Sequence, residues 1–206
     1  MIRNALVLAV ALAGSLLVGA AQAATPSPPM QGVKSAATSK PVELPSDSVY
    51  QLPLKLTDQK GRTFDWTTRR GKPQLVAMFY TSCRYICPLI VESGKAVDRS
   101  LTPKQRKELG VLFISMDAAR DNPAALMAVV KERKVDPRWT LATPKAEDVR
   151  SVAGVLGIQY RQLADGEFNH TSALILLDAD GRIVARTEKM GSKLDPEFLA
   201  AVQKVL

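Results

Sequence analysis

The unbroken apolar run Leu75-Val76-Ala77-Met78-Phe79-Tyr80 leads straight into Thr81-Ser82-Cys83-Arg84-Tyr85-Ile86-Cys87-Pro88, and no other stretch limits the fold as much. A short apolar run followed by turn chemistry reads as a buried strand. Such a strand delivers both thiols to its C-terminal end, where open α/β sheets place their sites. Pro88 suits the first turn of a following helix, because the donor it lacks would be unpaired there. The free amides and positive dipole end of a helix start favour thiolate over thiol. Strand, thiols and helix start make Cys83 and Cys87 a candidate redox dithiol.

These are the only cysteines in 206 residues. The N-terminus assigns them a compartment. Arg3, the apolar stretch from Ala5 to Leu17 and the small-x-small pattern Ala21-Gln22-Ala23 predict a signal peptide over residues 1–23. An uncleaved membrane anchor is the competing reading, since apolar character continues weakly to Ala21. Export places the chain in an oxidising compartment, most simply the bacterial periplasm. Two cysteines in an exported protein usually form a structural disulfide. A bridge of that kind stabilises by closing a long loop, and here only three residues separate the cysteines. A working dithiol is therefore favoured over a staple.

Residues 24–45 are rich in Ala, Pro, Ser and Thr and read as a flexible tether. Residues 46–206 are enough for one domain with a real core. The net charge of +8 comes largely from scattered basic residues, among them the pairs Arg69-Arg70, Arg106-Lys107 and Arg133-Lys134. No aromatic residues interleave them, which argues against nucleic acid. A solvated basic surface is expected, with weak attraction to an acidic partner or an anionic membrane surface. Met30, Met78, Met116, Met127 and Met190 are scattered, so a methionine-rich metal carrier is not supported.

Within the domain, Leu52, Leu54 and Leu56 alternate as on one face of a strand, and Phe64 with Trp66 forms a second apolar patch. Val111 to Met116 and Ala173 to Leu177 repeat the pattern of a buried strand, with Ile183-Val184-Ala185 as a hairpin partner after Asp178-Ala179-Asp180-Gly181. Trp139 to Ala142 reads as a further short strand. Ile90, Gly94, Val97 and Leu101 follow helical spacing, as do Leu126, Val129 and Val130, then Val149, Val152, Ala153 and Leu156. Thr102-Pro103, Asp121-Asn122-Pro123 and Asp195-Pro196 read as helix starts, the last opening a helix with Phe198, Leu199, Val202 and Val205 inward. Strands alternating with helices argue for a mainly parallel sheet covered on both faces, made mixed by the hairpin.

This arrangement resembles the thioredoxin-like α/β fold, with an N-terminal strand extension and helical insertions. The motifs narrow the resemblance to the Sco (SCO/SenC) family of copper-binding cytochrome c oxidase assembly proteins. Phe79 through Pro88 resembles that family's CxxxCP signature. Ile114-Ser115-Met116-Asp117, followed by Asp121-Asn122-Pro123, resembles its serine-x-aspartate strand end and later aspartate turn. Phe168-Asn169-His170-Thr171-Ser172 resembles the histidine segment before its third core strand.

The resemblance implies that Cys83, Cys87 and His170, the sole histidine, converge as ligands for copper. Thiolates select Cu(I) and imidazole suits several transition metals, so the donor set fits. It further implies a monomeric chaperone that delivers copper to a subunit of cytochrome c oxidase, or to another periplasmic thiol or copper protein. Arg84 and Tyr85 stand where many members carry proline and an acidic residue; a guanidinium there would favour thiolates and repel a metal cation. Asn122 replaces a threonine, and Asn169 stands where aspartate is common and would have been a charged partner for the imidazole. Asp117 and Asp121 read as turn and capping residues, and Trp66, Tyr80 and Tyr85 as core or rim packing around the site.

The same cysteine pair also supports a thiol–disulfide oxidoreductase, cycling through a mixed disulfide without copper as cargo. A thiol peroxidase is disfavoured, because Tyr80 and Arg84, not threonine, lie three residues before Cys83 and Cys87.

Overall fold

The computed structural model describes residues 43–206. The expected signal peptide and all but the last three residues of the expected tether lie outside the described residues. The elements run β1 (Lys55–Asp58), β2 (Thr63–Asp65), β3 (Gln74–Phe79), α1 (Ile86–Ser100), α2 (Pro103–Glu108), β4 (Gly110–Ser115), α3 (Pro123–Glu132), β5 (Thr140–Pro144), α4 (Val149–Val155), β6 (Tyr160–Gln162), β7 (Phe168–His170), β8 (Leu174–Leu177), β9 (Ile183–Thr187) and α5 (Pro196–Val205).

Seven strands form one sheet in the order β2-β1-β5-β4-β3-β8-β9, while β6 and β7 pair separately. Every residue of β3 is buried, and its neighbours are β4, parallel, and β8, antiparallel. Parallel pairing is confined to β3, β4 and β5. The sheet is thus less parallel than the alternation of strands and helices predicts. Antiparallel neighbours need only tight turns, and β1–β2 and β8–β9 are joined that way. Helix α1 packs on β3 and β8, α3 on β5 and β1, and α5 on β9. Among the described residues, no helix is long and apolar enough to cross a membrane.

The reading of Leu52, Leu54 and Leu56 as one strand is corrected. Val49–Gln51 is a short 3-10 turn capped by Ser48, and the strand begins only at Lys55. Pro53 has no amide hydrogen for a ladder, so the chain joins the sheet after it. The helix starts mostly follow the sequence. Thr102 and Gln105 form a reciprocal capping box over Pro103, and the Asn122 side chain accepts from the Ala125 amide at 3.0 Å. Asp195 departs from expectation. Its carboxylate accepts from Thr187 Oγ1 at 2.7 Å and Lys189 Nζ at 3.2 Å, and does not cap α5. On α5, Phe198 and Val202 are buried as read, whereas Leu199 is half-buried and outside the core cluster.

The core is closely packed where α1 crosses the sheet. Phe113 lies 6.2 Å from Phe79 and 5.2 Å from Trp139, centroid to centroid. Gly94 faces this cluster: a methyl group there would come within 2.8 Å of Trp139 Cη2 and 3.0 Å of Phe113 Cζ. Burying each large ring stabilises the fold by about 1.5–3 kcal/mol. On the same helix the buried Asp98 is satisfied by Arg138 Nη2, at 2.8 Å from both carboxylate oxygens.

Candidate dithiol and histidine site

Strand β3 ends at Phe79, and the chain turns through Tyr80 to Tyr85 before α1 begins at Ile86. Both cysteines are buried and neither is bridged. Cys87 lies in the first helical turn, where its amide donates to Cys83 Sγ at 3.3 Å. The Tyr80 amide donates to Cys87 Sγ at 3.5 Å. Each sulfur therefore accepts a main-chain N–H, Cys83 from the helix start and Cys87 from the residue that follows β3.

The two sulfurs divide one proton unequally. The hydrogen bond from Cys87 pulls the Cys83 pKa well below the usual thiol range; burial opposes this, while the Cys87 and Tyr85 amides reinforce it. The same bond, together with burial, pushes the Cys87 thiol up. The turn thus favours ionisation at Cys83 over Cys87. Arg84 is exposed, and the groups that stabilise a Cys83 thiolate come from the turn itself. Tyr85 does not pack on the rim either: it is 87% exposed, beside the half-exposed Leu89. Trp66 lies outside the site, its indole donating to Leu52 O at 2.8 Å at the β1–β2 edge.

Below the cysteine turn lies a buried acid. Asp121 accepts from the Thr81 amide at 2.9 Å, from Thr81 Oγ1 at 2.5 Å and from Ser115 Oγ at 2.6 Å. Burial raises its pKa in spite of the bonds from Ser115 and Thr81. Helix capping falls to Asn122, so the reading of Asp121 as a cap is corrected: it anchors the loop that carries the dithiol. Asp117, also buried, caps its own turn by accepting from the Arg120 amide at 3.3 Å and pairs with the Arg120 side chain.

His170 arrives on the β6–β7 hairpin, paired with Tyr160. The periodicity reading missed this hairpin, although Asp165-Gly166 between two short alternating segments is a hairpin signal. Arg120 fastens it to the domain, donating to Gly166 O at 2.6 Å, approaching Glu167 at 3.7 Å and lying 6.0 Å over the Phe168 ring. Tyr80 does the same from the cysteine side. Its hydroxyl donates to Glu167 Oε2 at 3.0 Å and accepts from the Phe168 amide at 3.3 Å.

The Tyr80 ring stands 5.9 Å from the His170 ring, edge to face. His170 Nδ1 lies 3.0 Å from Thr171 O. A carbonyl only accepts, so Nδ1 carries the proton and the lone pair of the neutral ring sits on Nε2. This carbonyl fills the orienting role that Asn169, exposed, leaves open. Nε2 is buried and has no hydrogen-bond partner among the described residues.

The structure thus brings Cys83, Cys87 and His170 to one end of the sheet. Among the described residues, no three Cys, His, Asp or Glu side chains close into a metal cage. The depression over the sulfurs holds about 30 Å³, room for an ion or a water but not an organic substrate. Beside His170 a wider polar cleft of about 590 Å³ opens to solvent.

A thioredoxin-like domain whose first helix opens on a CxxxC dithiol, faced by a histidine from a separate hairpin, defines a class of thiol-bearing proteins. The comparisons narrow it. Residues 43–206 match the SCO1/SenC family model, and the chain belongs to that family. An SCO2-like protein of Rickettsia conorii is 25% identical over 135 residues, covering 63% of this chain and 64% of its own length. The chain thus spans just under two thirds of that relative. The structure of Bradyrhizobium japonicum ScoI with copper bound is 27% identical, with a TM-score of 0.64 over 75% of this chain and 98% of that one. BsSco, described as a Sco family member with a disulfide switch, is 18% identical with a TM-score of 0.63 over 75% of this chain and 91% of its own, and shows the shared fold.

Proposed function

We propose that this chain is a periplasmic copper carrier, in which reduced Cys83 and Cys87 hold Cu(I) with His170 as third donor and surrender it to the copper site of a cytochrome c oxidase subunit. One observation carries the reading: a buried imidazole lone pair with no protein partner, at the same sheet end as two buried sulfurs. An unpartnered buried polar atom costs about 1–3 kcal/mol, a cost that a bound ion removes. Family membership and the copper-bound Bradyrhizobium relative support the choice of ion. Two thiolates and an imidazole suit soft Cu(I) and leave a fourth position for an incoming ligand from an acceptor. Binding requires Cys87 to release its proton, so uptake of the ion is coupled to proton release. Competition of a Cu(I) chelator with the reduced protein tests the assignment. His170→Ala should weaken binding by at least about tenfold, and wild-type affinity in that variant would overturn the three-donor site.

A second reading follows from the unbridged cysteine pair, in which the Cys87 amide at the helix start donates to Cys83 Sγ. The Cys83 thiolate can attack a partner disulfide, forming a mixed disulfide and releasing one partner sulfur as thiolate. Cys87, once deprotonated, then attacks Cys83 Sγ, giving the Cys83–Cys87 disulfide and a fully reduced partner. Two electrons pass from this dithiol to the partner's disulfide. Cys87→Ser should trap the mixed disulfide if this reaction operates, and its absence excludes it.

A further inference from the structure

Two of the three basic pairs that look scattered in the sequence, Arg69-Arg70 and Arg106-Lys107, are gathered by the fold at the end of the sheet opposite the dithiol. Arg69, Arg70 and Lys72 lie just before β3, Arg106 and Lys107 in α2 just before β4, and Arg138 just before β5. All six line one open cleft of about 490 Å³ that no carboxylate lines. A six-residue strand separates this cleft from the cysteine turn by about 20 Å.

The charges are not equally spent. Arg70 pairs with Asp180 at 2.8 Å, and Arg138 with Asp98 and Asp136 at 2.8 and 3.1 Å. Among the described residues, the side chain of Arg106 bonds only main-chain carbonyls, of Leu101 and Arg99. Arg69 bonds the neutral Gln74 and Thr140 side chains, and its Nε is buried without an acceptor. Lys72 and Lys107 are exposed, and their ammonium groups have no hydrogen-bond or ionic partner among the described residues. A concave site with four cations lacking a carboxylate, one of them with an unpaired buried donor, is built for an anion with several oxygens.

We infer that this cleft binds a phosphate group, either the headgroup of an anionic lipid or a free phosphate. Its position bears on the first source. Arg70 Nη2 donates to the carbonyl of Glu43 at 3.5 Å, so the chain enters the domain beside the cleft. A headgroup held there turns the cysteine turn away from the bilayer, toward solvent and a partner.

The test uses the full chain, so that anything the N-terminal residues contribute is common to wild type and variants. The probes are vesicles of phosphatidylglycerol with phosphatidylcholine, vesicles of phosphatidylcholine alone, and inorganic phosphate and pyrophosphate at matched ionic strength. Lys72→Glu with Lys107→Glu is compared with Lys193→Glu and Lys204→Glu, a pair of equal charge change outside the cleft. Headgroup binding predicts affinity for the anionic vesicles that falls on the order of tenfold in the cleft variant, and by less than half as much in the control pair, at unchanged Tm. Free phosphate binding predicts a rise in wild-type Tm with phosphate or pyrophosphate that the cleft variant loses and the control keeps. Equal losses in both variants, or no response to any phosphate-bearing probe, would overturn the inference.

Discussion

The Asp121 carboxylate holds Thr81 by both its amide, at 2.9 Å, and its hydroxyl, at 2.5 Å, so a residue from the turn after β4 fixes the start of the cysteine loop. Removing that carboxylate leaves three donors without an acceptor, the buried Ser115 Oγ and the two half-buried donors of Thr81. Asp121→Ala should lower stability by about 2–3 kcal/mol and weaken Cu(I) retention, while Asp121→Asn, which keeps one acceptor oxygen, should lose less of both. Urea unfolding of the apo protein and chelator competition of the loaded protein measure the two effects. Equal stability of all three proteins would show that the loop does not depend on this anchor.

Arg120 links the buried Asp117 to the hairpin that carries His170. Arg120→Ala should speed hydrogen exchange at the β6–β7 amides while leaving β3 and β4 protected. Cu(I) affinity should drop severalfold through looser placement of the imidazole, and Arg120→Lys should restore little because it has no planar fork. Uniform loss of protection throughout the domain would point to a global folding role.

Gly94 leaves no room for a side chain beneath Trp139 and Phe113. Gly94→Ala gains helix propensity but must displace an indole ring, and the overpacking should win, with a net cost of about 1–3 kcal/mol. Thermal unfolding of the variant decides it, and a raised Tm would mean that the ring cluster yields at no cost.

Stability should fall in acid partly through Asp58. Burial alone would raise the pKa of this carboxyl, but hydrogen bonds from the Arg62 amide and side chain and the Lys60 amide outweigh it and leave the pKa lowered. A group with a depressed folded pKa adds stability above its unfolded pKa, about 3.9, and loses it as pH falls through the folded value. Asp58→Asn should therefore be less stable than wild type at neutral pH, with the gap closing below about pH 4. A gap that is constant with pH would assign the effect to packing.

The chain itself determined a good deal. The apolar run at 75–80 and the Pro88 that follows the second cysteine define a strand, a turn and a helix start, because local periodicity and first-turn chemistry need no distant partner. Thr102-Pro103 and Asn122-Pro123 likewise mark their helices. The family resemblance, not the spacing, singled out His170. Leu52 was misread because alternation was counted across Pro53, and the hairpin of β6 and β7 escaped because three-residue strands carry too little pattern.

What the tertiary structure alone decided is which groups meet. Asp121 reaches Thr81 across 40 residues, Tyr80 reaches Glu167 across 87, and separate basic pairs share one cleft. Sequence patterns report which face of an element is buried. Hydrogen bonds and charge act through space over a few ångströms, and only the packing of β3, β4 and the β6–β7 hairpin sets those distances.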